Sequence, residues 1–408
     1  MSYKSLYKQF MINDLNSFNK IYQDRFNSNS TIKFNIKINN YQTFFNYDNK
    51  IMTLIAKIRE QNYLLEELLF TLPNIGVEQF QRKTLISEIQ NSNKIEGIIS
   101  TRKEIFDLIN EIEKKLKTKN RFEGIINKYM LLTSDKINLF DSFDIRRLYD
   151  EMLLKEIQEE DSQNVPDGKI FRKNEVFVLN SNSKIIHSGI MPEEKIIENM
   201  DYCLNILNDS NIDILIRIAI FHFFFGYIHP FYDGNGRMNR FISSYLLSKY
   251  FNKLIGYKLS TTIQNHLKTY LDSFIQTNDI RNRSDLSTFV YSFLYFVYDS
   301  YISIEKDLLE KDKIYQDSYN LLQEICLFDH EINNNQTIYQ ILIILLNVSI
   351  FGDFGITKSS LCQKLNKGNT KITEYLCLLK DKGLCEEIRS GKHYYYKANL
   401  EKIKSIVM

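Results

Sequence analysis

The run from Ile214 to Ile228 constrains this chain most, because it is apolar almost throughout and only Arg217 and His222 interrupt it. A stretch so short, with two basic side chains inside it, is a poor membrane span, which needs about 20 apolar residues. Surrounded by protein, it reads as a buried helix at the centre of a helical core. It stops at a polar, Gly-containing turn, and helical spacing resumes over Arg237–Tyr250. No membrane partner is expected.

The rest of the chain suits such a core. Only 14 Gly and 4 Pro occur in 408 residues, so long flexible linkers are not expected and helices should dominate. Hydrophobic residues at 44% and charged residues at 25% are the balance of an ordinary globular protein. The net charge of +2 singles out no partner. Met1–Phe10 has no apolar signal-peptide core, and the five cysteines form no CxxC pair, so reduced thiols and a cytoplasmic location are expected.

Periodicity divides the chain further. Residues 1 to about 45 read as a helix followed by an extended segment over Ile32–Ile38. Tyr47–Leu72 carries apolar residues at helical spacing and stops at Pro73. Gln79–Ile95 and Arg102–Leu116 read as two more helices, and Glu193 starts another. Between them, Gly168–Ile190 has apolar residues flanking a polar tip at Asn180–Ser183, the pattern of a β-hairpin inside a helical protein. The expected division is an N-terminal helical region (1–78), a central domain (79–294), connecting helices (295–336) and a C-terminal domain (337–408).

The chemistry concentrates in His229-Pro230-Phe231-Tyr232-Asp233-Gly234-Asn235-Gly236-Arg237-Met238-Asn239-Arg240. Gly234 and Gly236 permit positive φ and close approach of the backbone to a ligand. The helix that follows offers unpaired N–H groups and a partial positive charge, which suit phosphates. Arg237 and Arg240, three apart, can both lean from one helical face towards such an anion. Asp233 offers a hard carboxylate to Mg²⁺. His229 can take a proton near neutral pH. Singly, each has an ordinary structural use in a turn or on a solvated face; together, within twelve residues, they point to a nucleotide site.

This segment resembles the signature of the Fic family, HPFx(D/E)GNGRxxR, at every fixed position, and the likeness extends over roughly Gln79–Leu294. The resemblance implies a mainly α fold, a Fic-type helical bundle with one β-hairpin flap. It implies an adenylyltransferase that moves AMP from ATP, with Mg²⁺, onto a Ser, Thr or Tyr hydroxyl of a protein. His229 would be the general base and Asp233 the metal ligand. Phe231 would anchor the loop. Gly234, Asn235, Gly236, Arg237 and Arg240 would bind the phosphates, Arg240 nearest the γ-phosphate. Tyr270 lies where Fic proteins often place a tyrosine near the base, although a core tyrosine would read the same. The 168–190 hairpin would dock a target segment as an added strand; Met191-Pro192 stands where the family commonly has two prolines. Ser92-Asn93-Lys94-Ile95-Glu96-Gly97 resembles the family's inhibitory motif, (S/T)xxxE(G/N), in which Glu96 would pair with Arg240 and block the γ-phosphate; Gly97 is also a natural helix C-cap.

Thr357–Lys397 reads as a winged helix: a helix capped at Thr357, a second from Lys371 to Lys382 with Ile372, Tyr375, Leu376 and Leu379 inward, and a wing around Ser390-Gly391. Nine Lys/Arg against four Asp/Glu here suit contacts to DNA through Asn369, Thr370 and Lys371, while protein binding or a homodimer explains the same elements. Two other functions therefore stand beside adenylyl transfer: a DNA-binding regulator whose Fic-like part senses nucleotide, and a related enzyme that removes AMP or moves another phosphate-linked group.

Overall fold

The computed structural model describes residues 3–116, 118, 120–132, 137–179, 185–390 and 393–407. The expected hairpin tip at Asn180–Ser183, the wing residue Gly391 and the ends Met1 and Met408 lie outside the described residues. The chain forms two compact units: residues 1–63 with 85–302, and residues 64–84 with 303–408.

In the larger unit, α1 (Leu6–Ile12) and α2 (Leu15–Phe26) precede an antiparallel hairpin of β1 (Thr31–Ile38) and β2 (Tyr41–Asn46). Asp14 caps α2 by accepting from the amides of Asn16 and Ser17. The sequence suggested one helix and one extended segment here. The second arm escaped notice because Phe44, Phe45 and their neighbours are buried in succession and do not alternate. Two long helices follow, α3 (Asn49–Thr71) and α4 (Asn74–Ile95), separated by Pro73, and their residues 64–71 and 74–84 belong to the smaller unit. Gly97, at φ 76°, ends α4, with Ile98 N donating to Asn93 O at 3.0 Å.

Next come α5 (Arg102–Glu113), α6 (Glu123–Met130), α7 (Ser142–Tyr149), a π-helical turn at Asp150–Leu154 and α8 (Lys155–Glu160). The flap is smaller than its sequence span: β3 (Phe177–Leu179) pairs antiparallel with β4 (Ile185–Ser188), and residues 168–176 are irregular. Helix α9 (Glu193–Asn208) packs beside α10 (Ile214–Ile228), whose apolar run is buried nearly all round. Then α11 (Asn235–Tyr250), the short α12 (Lys253–Gly256), α13 (Leu259–Asn265) and α14 (Leu267–Asn278) complete the core around α10.

Helix α15 (Ser287–Phe328) is continuous for 42 residues, so the domain boundary expected at 294 falls inside a helix. In the smaller unit α16 (His330–Asn333) leads to the apolar α17 (Gln336–Phe351). A three-stranded antiparallel sheet, ordered β5 (Ile356–Thr357), β7 (His393–Ala398), β6 (Cys385–Ser390), packs with α17, α18 (Lys358–Leu365) and α19 (Asn369–Asp381); α20 (Leu400–Val407) closes the chain. Thr357 caps α18 as expected, and Ile372, Leu376 and Leu379 are buried, but Tyr375 is only half-buried. Strand β5 has too few residues to reveal a period. Among the described residues no helix is long and apolar enough to cross a membrane.

Candidate nucleotide site

Helix α10 ends because Pro230 follows His229 and disfavours the α conformation in the residue before it. His229 takes left-handed backbone angles, φ 54° and ψ 63°, with its amide still bonded to Phe225 O at 3.0 Å. Positive φ is uncommon for a residue with a side chain and concentrates at functional positions. The ring Nδ1 lies 3.4 Å from Gly226 O. A carbonyl only accepts, so Nδ1 carries the proton and Nε2 keeps its lone pair. Burial pushes the imidazole pKa down to about 4, so the base form prevails at neutral pH.

The loop after His229 is closed by one amide. Asn235 Oδ1 accepts from Phe231 N at 3.0 Å, and its Nδ2 donates to Phe231 O at 2.7 Å. Phe231 is fully buried, stacked on Tyr149 at 3.8 Å and edge-on to Phe171 at 5.4 Å. Gly234 has φ 81°, and a Cβ there would meet Leu153 Cδ1 at 2.8 Å. Helix α11 starts immediately, leaving its first amides without intrahelical partners.

The two arginines of the turn part company. Arg240 is buried and held by the α4 terminus: Nε donates to Ser92 Oγ at 3.2 Å, Nη2 to Ser92 O at 2.8 Å, and Nη1 pairs with Glu96 Oε1 at 2.8 Å. Gly236 permits this, since a Cβ there would collide with the Glu96 carboxylate. Arg237, expected to share that face, instead pairs with Glu156 of α8 at 2.8 Å, both side chains fully buried. Its Nη2 is 3.9 Å from Asp233 Oδ2. A spacing of three leaves side chains about 60° apart around a helix. On a helix buried all round, that is enough for each to meet a different neighbour. Arg237 therefore stands behind the loop and Arg240 in front.

A cavity of about 250 Å³ joins these parts, with Glu96, His229, Asn235, Gly236 and Arg240 in its wall. Leu267, Tyr270, Leu271 and Phe274 of α14 make its apolar side. Tyr270 is buried, its hydroxyl 2.8 Å from His222 Nε2, while His222 Nδ1 lies 2.8 Å from Ser243 Oγ. This explains the histidine that interrupts the apolar run: burial drives its pKa down to about 3, so it stays neutral inside the core. Asn239 was missed by the sequence reading. It lines the cavity, donates to His222 O at 2.7 Å, and its buried Oδ1 has no partner among the described residues. Its place at one of the signature's variable positions gave no signal.

Asp233 keeps 40% of its side-chain surface open, and Oδ1 accepts from Gly234 N at 2.5 Å. Among the described residues no group of three or more His, Cys, Asp or Glu could hold a metal.

Residues 139–247, which carry every part of this turn, match the Fic/DOC family model. The chain superposes on a Fic family protein from Desulfovibrio desulfuricans G20 with a TM-score of 0.51 at 19% identity, covering 88% of this chain and 98% of that one; the likeness is one of fold. A Fic-1 fragment from C. elegans superposes with a TM-score of 0.46 at 16% identity, covering 75% and 82% respectively. No curated protein sequence matches the chain at a significant level.

Proposed function

We propose that this protein transfers AMP from ATP to a hydroxyl side chain of a protein, itself included, and that Glu96 restrains the reaction. One observation carries the reading: the lone pair of His229, the amides of the α11 terminus and the Arg240 guanidinium surround a single cavity with an apolar side for a base. Phosphates suit the amides and Arg240. The target oxygen attacks the α-phosphorus as His229 Nε2 takes its proton; the new O–P bond forms as the bond to pyrophosphate breaks. Asn235 holds the loop in shape, and the amides need no reorganisation as charge develops.

Mg²⁺ fits Asp233, because this cation takes one or two carboxylates and completes its shell with phosphate oxygens and water. Bound there, it would neutralise phosphate charge. A target segment adds as a strand to the β3–β4 flap, bringing its hydroxyl to His229.

The DNA-binding reading is the less favoured. Asn369, Thr370 and Lys371 are exposed at the start of α19. However, Lys371 pairs with Glu374, Lys380 with Glu387, and Lys382 with Asp329 and Glu331, which spends much of the positive charge locally. Incubation with α-labelled and γ-labelled ATP decides between the readings. Label on protein from the α-labelled form alone is expected; no transfer, with salt-dependent binding to duplex DNA, would favour the regulator, and loss of AMP from modified protein would favour the reverse reaction.

A further inference from the structure

The end of α10 leaves main-chain carbonyls that the helix cannot satisfy. Three of them are met from the base of the flap. His187 Nε2 lies 2.6 Å from Tyr227 O, Ile190 N donates to Ile228 O at 3.1 Å, and Arg172 Nε donates to His229 O at 2.9 Å. Arg172 does most. Its Nη2 donates to Ile190 O at 2.9 Å and approaches Ile228 O at 3.4 Å; its Nη1 donates to Asn174 O at 2.7 Å and lies 3.1 Å from Met191 Sδ. Its own amide donates to Pro230 O at 3.3 Å. The side chain is fully buried, and burial draws its pKa below the ordinary arginine value. A guanidinium kept dry among backbone oxygens is costly unless those oxygens need it.

We propose that Arg172 is a positioning residue for His229: its planar fork locks the left-handed backbone from which the imidazole projects, and links that backbone to the flap. The proposal rests on His229 being the base. The link has two ends. One is the His229 carbonyl, on the residue whose ring must meet the target hydroxyl. The other is Asn174 and Ile190, where the chain enters and leaves the flap; Gly189 N extends the pairing there by donating to Val176 O at 3.0 Å. A target strand added to the hairpin steadies this end, so docking and the aim of the base are coupled through one side chain. Lysine cannot replace it, because a point charge cannot hold divergent carbonyls in one plane.

Two variants test this in a Glu96→Gly background. Arg172→Lys removes the fork. Gly189→Ala keeps the arginine but places a methyl against its Nη2 and Val176, shifting the guanidinium. Readouts are kcat and KM for AMP transfer, affinity for a non-hydrolysable ATP analogue, and the imidazole carbon–proton NMR signal of His229, assigned by its loss in His229→Ala. Arg172→Lys should lower kcat on the order of 10²-fold, as small misplacements of a reacting group do. Gly189→Ala should lower it less. The His229 signal should move in both, while analogue affinity stays within about twofold, since only the base and not the phosphate cradle is disturbed. An unmoved His229 signal in folded Arg172→Lys overturns the proposal, as does a loss of analogue affinity matching the loss of kcat. If Arg172→Lys does not fold, the same readouts on Gly189→Ala decide. A displaced signal in a protein that transfers no AMP in any background upholds the positioning role and removes the adenylyltransferase reading instead.

Discussion

Arg237 and Arg240 lie one helical turn apart in one motif, and each meets a glutamate at 2.8 Å, Glu156 on α8 and Glu96 in the turn just after α4. The pairs nevertheless differ in kind. Arg237 and Glu156 are both sealed from solvent, and nothing but protein reaches them. Glu96 keeps 29% of its side chain open and sits in the wall of the cavity, and the proposed restraint requires that a ligand anion take its place on Arg240. A sealed pair is part of the scaffold, whereas a pair on a cavity wall is an equilibrium that a ligand can shift.

The largest effect that sharpens this contrast is on stability. Glu156→Ala should destabilise the fold by about 3–5 kcal/mol, because it strands a buried guanidinium. Urea denaturation measures this, and a loss no greater than that of an exposed pair would place Glu156 with Glu96. Glu96→Gly should hardly change the denaturation midpoint but raise AMP transfer on the order of 10²-fold, and Arg240→Ala should cancel the gain. Equal incorporation of α-labelled AMP by wild type and Glu96→Gly would leave that pair as structural as the other.

A pH profile of the Glu96→Gly protein probes the proposed base without the proposed brake. The depressed pKa of His229 keeps it neutral, and so competent, across the physiological range. The rate should be flat from pH 6 to 8 and fall about tenfold per unit only below the pKa of about 4. An acid limb near pH 6.5 would mean that the imidazole is hydrated during turnover.

The smallest expected effect concerns the tether of α4. Glu88 is buried and accepts from Ser260 N at 2.7 Å, Ser260 Oγ at 2.5 Å and Ser244 Oγ at 3.2 Å. Burial raises its pKa from 4.5 to about 7 against those donors. A raised folded pKa contributes stability that is fully present below pH 4.5 and is lost as pH rises through 7. Glu88→Gln should therefore flatten the fall in stability between pH 5 and 8, on the order of 1 kcal/mol. Parallel melting curves for wild type and variant across that range would show that Glu88 stays ionised, as an exposed glutamate does.

What was legible in the sequence followed from local rules. The apolar run marked α10, Pro73 separated α3 from α4, and Gly97 and Gly234 marked positive φ, whereas Gly236, expected to share that freedom, lies within α11 and does not use it. Each depends on residues a few positions apart, where covalent geometry and helical period act directly. Tertiary structure decided the rest, because partners distant in sequence determine it. The bend of His229 depends on carbonyls capped by Arg172, 57 residues away. Arg237 turned from the cavity because Glu156 arrived on α8, a short helix beyond a π turn with too few residues to show a period. Arg240 met Ser92 and Glu96 across 148 and 144 positions, respectively. A sequence states which charges are available; which of them are buried together, and so which can still be exchanged for a ligand, depends on the packing of α4, α8 and α11 around one another.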